Sequence, residues 1–210
     1  MKTHLMSAHD LQTMRRAQRL LQSGQLVAFP TDTVYGIGAH AFRPEAVAAL
    51  YTAKKRPITK AIPILVAGVE DVALVARTVP AVAWKLIEQF WPGGLTIVLP
   101  RGEQVPPVVT AGGETVAIRC PDHPIPLNLV NAAGAPLAAT SANLSGQASP
   151  TTAPQVMRQL TGRVPLVIDG GACPGGVSST VVDLSTSPSR LLRAGAISAE
   201  ALRELLPDLT

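Results

Sequence analysis

Aromatic side chains are nearly missing from this chain: three Phe, two Tyr and two Trp amount to 3% of 210 residues. That scarcity argues against any scheme in which single-stranded bases stack on aromatic platforms. Cysteine is as sparse. Cys120 and Cys173 lie far apart in sequence, so they form neither a disulfide framework nor a CxxC metal knuckle, and both read as ordinary buried thiols. The four histidines, His4, His9, His40 and His123, lack HExxH or other ligand spacing, which argues against a tightly held zinc. No apolar run reaches the roughly 18 residues of a membrane span, and the amino terminus has no secretion-signal h-region. The expected location is therefore cytoplasmic. Charge of one sign is not concentrated either: a net charge of +4 suits an anionic ligand but is too small for a long nucleic-acid track.

Apolar residues, at 47%, are sufficient for a substantial core. No Pro/Ser linker or charge block divides the chain, so a single domain is expected over residues 1–210. Ser7 and Asp10 form a capping-box pattern ahead of Leu11, Met14, Leu20 and Leu21, with Gly24 as a stop, which predicts an amphipathic helix. QLVAF and VYGIGAH read as strands around the polar turn TDT, and Pro44 opens a helix over EAVAALYTA that ends near Lys54. AIPILVA reads as a strand, residues 69–90 as mostly helical, and LTIVLP and TVAIR as strands on either side of a Pro/Gly-rich loop. NLVNAAG reads as the end of a helix. PLAAT and PLVID are further apolar runs, separated by a Ser/Thr/Gly loop and a helix starting near Pro154. TVVDL and RLLRA close the series before a helix capped by Ser198. LTIVLP to TVAIR and TVVDL to RLLRA have connections too short for a helical crossover, so the sheet is expected to be mixed.

Lys54 and Arg56, two residues apart and followed by Pro57 and Lys60, are expected on one face of extended backbone, forming a fork for phosphate oxygens. A solvated basic turn is the alternative. Four loops rich in Gly, Ser, Thr and Asn adjoin apolar strands: TDT at 31–33, TSANLSGQASPTT from Thr140, GGACPGGVSST from Gly170, and the turn at Ala194 and Gly195. Such loops offer amides and hydroxyls to an anion, although turns use the same residues for conformational reasons. Together with Lys54, Arg56, Arg119 and Arg193 they would make a cationic pocket with many neutral donors. Gly36, Gly38 and Ala41 satisfy GxGxxA, but the acidic residue expected about 20 positions later is absent. GGACPGG lacks the Lys and Ser/Thr of a Walker loop. Ser141 or Ser145 would need His40 or His123 as base, and no GxSxG elbow frames them; the histidines are expected in surface or capping roles.

Taken together, FPTDTVYGIG, KKRP, WPGGLTIVLP, VAIRCPDHP, TSANLSGQASPT, SSTVVDL and LLRAGAI resemble the YrdC/Sua5 family, in order from about Gly24 to the last helix. The resemblance implies an α/β domain: a twisted mixed parallel/antiparallel sheet with flanking helices and a basic concave face. The longer family type has an additional carboxy-terminal domain; this chain stops at Thr210 and resembles the short, single-domain form. The implied reaction joins ATP, L-threonine and bicarbonate into threonylcarbamoyl-AMP, with pyrophosphate released, for t6A modification of tRNA. Mg²⁺ would arrive on the ATP phosphates, with no metal held by the protein itself. Carried over by motif, Lys54 and Arg56 are catalytic and ATP-binding, with Lys60, Ser141, Asn143, Thr151 and Arg193 as further ATP contacts. Thr33, Arg119 and Ser179 match threonine-side positions, Arg119 as a carboxylate clamp. Two positions depart from the pattern: Leu65 stands where many relatives have His, and Ser178 where an acidic residue often stands. Transfer enzymes of the t6A pathway are implied partners. A double-stranded RNA or tRNA binding module, or a paralogue using carbamoyl-adenylate chemistry on another amine, are the alternatives.

Overall fold

Along LTIVLP, Leu95, Ile97 and Leu99 enter the main core while Thr96 faces the opposite side, the period-two alternation of a strand covered on one face. The computed structural model describes residues 1–174 and 177–210. Its elements in chain order are β1 (His4–Ser7), α1 (Leu11–Gln22), β2 (Val27–Phe29), β3 (Gly36–His40), α2 (Pro44–Lys54) and β4 (Ile64–Leu65). A 3-10 turn (Val69–Asp71) continues into α3 (Val72–Val75), followed by α4 (Ala81–Phe90), β5 (Leu95–Pro100), β6 (Thr115–Arg119) and α5 (Pro124–Ala133). The last are β7 (Leu137–Ser141), α6 (Ala153–Leu160), β8 (Leu166–Asp169), β9 (Thr180–Asp183), β10 (Arg190–Arg193) and α7 (Ala199–Arg203).

These strands join in one sheet ordered β1-β8-β2-β3-β7-β4-β6-β5-β9-β10. Four pairings are parallel (β1 with β8, β8 with β2, β4 with β6, β5 with β9) and the others antiparallel, so the sheet is mixed as expected. Both short connections, β5 to β6 and β9 to β10, make antiparallel neighbours. One face is covered by α2, α4, α6 and α7 through residues such as Leu50, Leu86, Leu160 and Leu202. On the other face, Ala17 and Leu21 of α1 and Leu129 and Val130 of α5 pack over Val27, Phe29, Leu137 and Leu166. That second cluster contains no residue of β5, β6, β9 or β10, so half of this face stays open, and the open half holds the cavity described below. Among the described residues no helix is long and apolar enough to cross a membrane.

Several local expectations are corrected. Asp10, not Ser7, caps α1, its carboxylate accepting from Gln12 N at 2.8 Å, because Ser7 is the last residue of β1. Leu11 is 77% exposed, and the buried stripe of α1 is Thr13, Ala17 and Leu21. AIPILVA shrinks to Ile64–Leu65. Lys54 and Arg56 do not share a face of extended backbone. Lys54 is the last residue of α2, and Lys55 takes the left-handed conformation at φ 51°, which ends the helix and separates the two side chains. Gly36 and Gly38 of the GxGxxA match leave room for the Phe29 ring, which a Cβ would meet at 3.2 and 3.0 Å. Packing explains those glycines without a dinucleotide.

Candidate functional site

A cavity of about 240 Å³ opens on the uncovered half of the sheet. Its floor is set by register. Arg119 of β6 lies beside Leu65 of β4, and both project away from the core face that Ile64 and Ile118 share. Thr96 comes from β5, while Ala139, Thr140 and Ser141 come from the end of β7. Loop residues complete the wall: Thr31 and Thr33 before β3, Ser149 before α6, and Ser178 and Ser179 before β9. Positions far apart in the chain thus meet because strand ends carry them to one place.

Arg119 is nearly fully buried, and four hydrogen bonds fix it. Nε donates to Gly93 O at 2.9 Å, Nη1 to Thr33 Oγ1 at 3.1 Å, and Nη2 to both carboxylate oxygens of Asp32 at 2.7 Å. Burial pulls its pKa down and the Asp32 charge pulls it back up. The pair is neutral as a unit. Arg119 therefore organises the TDT loop, with Thr33 tied on to Thr31 at 3.0 Å. Asp32 has no assigned role in the sequence pattern because its partner lies 87 residues away.

Arg193 is the second guanidinium on the cavity wall, and among the described residues no carboxylate lies within salt-bridge distance of it. It arrives there through a register shift. Arg190 and Leu191 pair with Asp183 and Val182, but Arg193 pairs with Val181, so Leu192 is an extra residue in β10. Such a bulge reverses which face the following side chain meets. Without it Arg193 would stand opposite Thr180, whose hydroxyl is engaged with the backbone of Ile197. Gly195 seals the exit: a Cβ there would lie 2.4 Å from Ser178 O.

Lys54 is 1% exposed and lies behind the cavity wall, outside its lining. Its ammonium donates to Ser141 O, to Asn143 O at 2.6 Å and to Asn143 Oδ1 at 3.3 Å. Asn143 Oδ1 also accepts from Ser141 Oγ, and Asn143 Nδ2 donates to Gln147 O at 2.6 Å. The SAN turn is thereby built around Lys54. Burial, with the nearby Arg56 charge added, pushes the Lys54 pKa down to about 7. Arg56 is half-buried and donates to Lys60 O at 3.1 Å and Ala61 O at 2.8 Å, folding its own loop. Lys60 is exposed. Thr151 N donates to Gln155 Oε1 at 2.6 Å at the start of α6, and Ser149 takes the lining position instead.

Of the residues singled out from sequence, Thr33, Arg119, Ser141, Ser179 and Arg193 line the cavity, and Lys54 and Asn143 support it from behind. Arg56, Lys60 and Thr151 are not in the lining. Leu65 and Ser178, the two departures from the family pattern, both are. Thr96 could have been found as the one polar side chain in LTIVLP, at a position alternating out of the core. Cys120 and Cys173 are free and buried, and His40 and His123 each accept from the backbone N–H two residues on, at 3.3 and 3.2 Å. The last two glycines of GGACPGG lie outside the described residues. Among the described residues no group of three or more His, Cys, Asp or Glu is placed to hold a metal.

Fold and cavity define an α/β domain whose mixed sheet, half uncovered on one face, presents a polar pocket to small molecules. The chain belongs to the Sua5/YciO/YrdC family: the family model described as Sua5_yciO_yrdC, telomere recombination, matches residues 19–195. A threonylcarbamoyl-AMP synthase of Pyrococcus abyssi (strain GE5 / Orsay) is 43% identical over 196 residues, covering 93% of this chain and 58% of that relative. One of Bacillus subtilis (strain 168) is 42% identical over 205 residues, covering 97% and 59%. The crystal structure of P. abyssi Sua5 complexed with L-threonine matches with a TM-score of 0.94 at 39% identity, covering all of this chain and 63% of that one. The chain thus spans about three fifths of the length of these relatives.

Proposed function

We propose that this protein makes L-threonylcarbamoyl-AMP and pyrophosphate from L-threonine, bicarbonate and ATP. The observation that carries the reading is the convergence of Thr33, Arg119, Ser141, Ser179 and Arg193 on one small cavity. Relatives named threonylcarbamoyl-AMP synthase, and a relative's complex with L-threonine, supply the substrate class. The cavity is below the usual ~300–1,000 Å³ of small-molecule sites, so it takes the amino acid and the reacting phosphate end. The rest of ATP lies across the open sheet.

The threonine amine and bicarbonate condense to the N-carboxylate with loss of water. A carboxylate oxygen then attacks the α-phosphorus, the bond to the β-phosphate oxygen breaks, and pyrophosphate leaves. No enzyme nucleophile is needed, only alignment and neutralisation of charge. Arg193 supplies the unpaired cation, Ser141 and Ser179 offer hydroxyls, and Lys54 holds the SAN turn in shape. Arg56 and Lys60 meet the triphosphate from the loop after α2, with Mg²⁺ entering as part of the ATP substrate. The product is a reactive mixed anhydride, so it is consumed by an acyl transfer to an amine, here assigned to t6A formation on tRNA.

The test is pyrophosphate release from ATP, Mg²⁺ and bicarbonate, with and without L-threonine, with serine and glycine as controls. Release that depends on threonine is expected. Release indifferent to the amino acid, or none, rules the reading out.

A further inference from the structure

Arg193 reaches the cavity from the edge strand of the sheet, where a long side chain ordinarily samples many rotamers. Its Nε and Nη2 donate to Ser179 O at 2.9 and 2.7 Å, and Nη2 also donates to Ser179 Oγ at 2.9 Å. The carbonyl holds one edge of the guanidinium. The contact to Oγ adds a second point, available only while the Ser179 hydroxyl keeps the rotamer that faces it.

Thr96 Oγ1 lies 2.7 Å from Ser179 Oγ. Thr96 is 2% exposed and β-branched, so its hydroxyl is confined to few rotamers. It is also in register with Val181, which is in register with Arg193, so Thr96, Val181 and Arg193 form one rank across three strands of the open face. Either hydroxyl can donate in the Thr96–Ser179 pair, and both polarities leave Ser179 Oγ able to accept from Arg193.

We propose that Thr96 is a positioning residue for anion binding: by holding the Ser179 hydroxyl it fixes the Arg193 guanidinium against the cavity. As a statement about ATP this rests on the function proposed above; as a statement about an anion it does not.

The probe is therefore inorganic pyrophosphate, titrated calorimetrically into the wild type and into Thr96→Val, Thr96→Ser, Ser179→Ala and Arg193→Ala. Thr96→Val and Ser179→Ala are expected to weaken binding about fivefold, the size of one net hydrogen bond. Thr96→Ser keeps the hydroxyl and should stay within about twofold of the wild type. Arg193→Ala should bind most weakly. In turnover, Thr96→Val should lower kcat/KM for ATP by the same factor and Thr96→Ser should restore it, a rescue by the smaller hydroxyl side chain that a merely space-filling role would not produce. Wild-type affinity in Thr96→Val, or failure of Thr96→Ser to restore binding, overturns the proposal. Should Thr96→Val not fold, Ser179→Ala decides, and wild-type affinity there overturns it equally. If the binding order holds but no amino acid supports pyrophosphate release, the positioning role stands and the ATP and threonine reading falls.

Discussion

Three oxygens, Ser141 O, Asn143 O and Asn143 Oδ1, accept from the single ammonium of Lys54, and water is excluded from it. The oxygens favour the charged form, while burial and Arg56 oppose it and bring the pKa down to about 7, against ~10.4 in an unfolded chain. Between those values the unfolded state binds the extra proton, so stability should rise with pH from about 7. Cys120 and Tyr35 act the other way. Burial raises their pKa values to about 11 and about 12, so the folded state keeps protons that the unfolded state releases above ~8.5 and ~10. Stability is therefore expected to peak near about pH 9, read as the urea midpoint across that range, and Lys54→Met should lose the rise from about pH 7 to about pH 9. A wild-type midpoint that falls over that interval would contradict the burial argument. Arg56 does different work from its neighbour, closing its loop on Lys60 and Ala61. Arg56→Ala is expected to cost about 2 to 4 kcal/mol of transition-state stabilisation, measured as pyrophosphate release.

At the scale of elements, β10 decides where the free cation points. Deleting Leu192 removes the extra residue, joins Leu191 directly to Arg193 and leaves Arg193 opposite Val181, so the guanidinium should stay on the open face. Pyrophosphate affinity in that variant should stay within about twofold of the wild type while the far-UV spectrum is retained; a fall to the level of Arg193→Ala would mean that pairing with Val181 does not by itself aim Arg193. Gly195→Ala drives a Cβ into the Ser178–Thr180 backbone and should cost about 1–3 kcal/mol of stability. The bulge could not be read from RLLRA, since alternation alone counts Arg190 and Leu192 on one face and Leu191 and Arg193 on the other. Only pairing with β9 breaks that count. In contrast, β5, β6 and β9 were legible from their apolar runs, and the α2 helix from Pro44 and its apolar spacing. Strand β1 was not: HLMS is four residues long, its Leu5 is half-exposed, and it exists by parallel pairing with β8 more than 150 residues away. The Lys54–Arg56 pair shows a similar limit. Spacing in the chain promised one face, and a single left-handed residue at Lys55 gave two.

Across the whole molecule, the cavity sits at a junction. Its wall takes Thr33 and Gly36 from the half of the sheet covered by α1 and α5, and Thr96, Arg119, Ser179 and Arg193 from the uncovered half. Among the described residues, the two-residue strand β4 alone stands between β7 and β6 in the sheet order that joins those halves. A ligand seated there touches both and is bound by the folded chain alone, so it should raise the stability of the sheet as one unit. Linkage gives about 2.7 kcal/mol at a ligand concentration of 100 times Kd. For a chain of this size, at about 2–4 °C per kcal/mol, the melting temperature should rise by about 5–10 °C with saturating ATP and Mg²⁺. Arg193→Ala should lose most of that shift at the same ATP concentration, because weaker binding enters the same logarithm, while its melting temperature without ligand stays near the wild-type value. An ATP-induced shift that Arg193→Ala retains in full would place the nucleotide elsewhere, since the charge that distinguishes this cavity would then take no part in holding it.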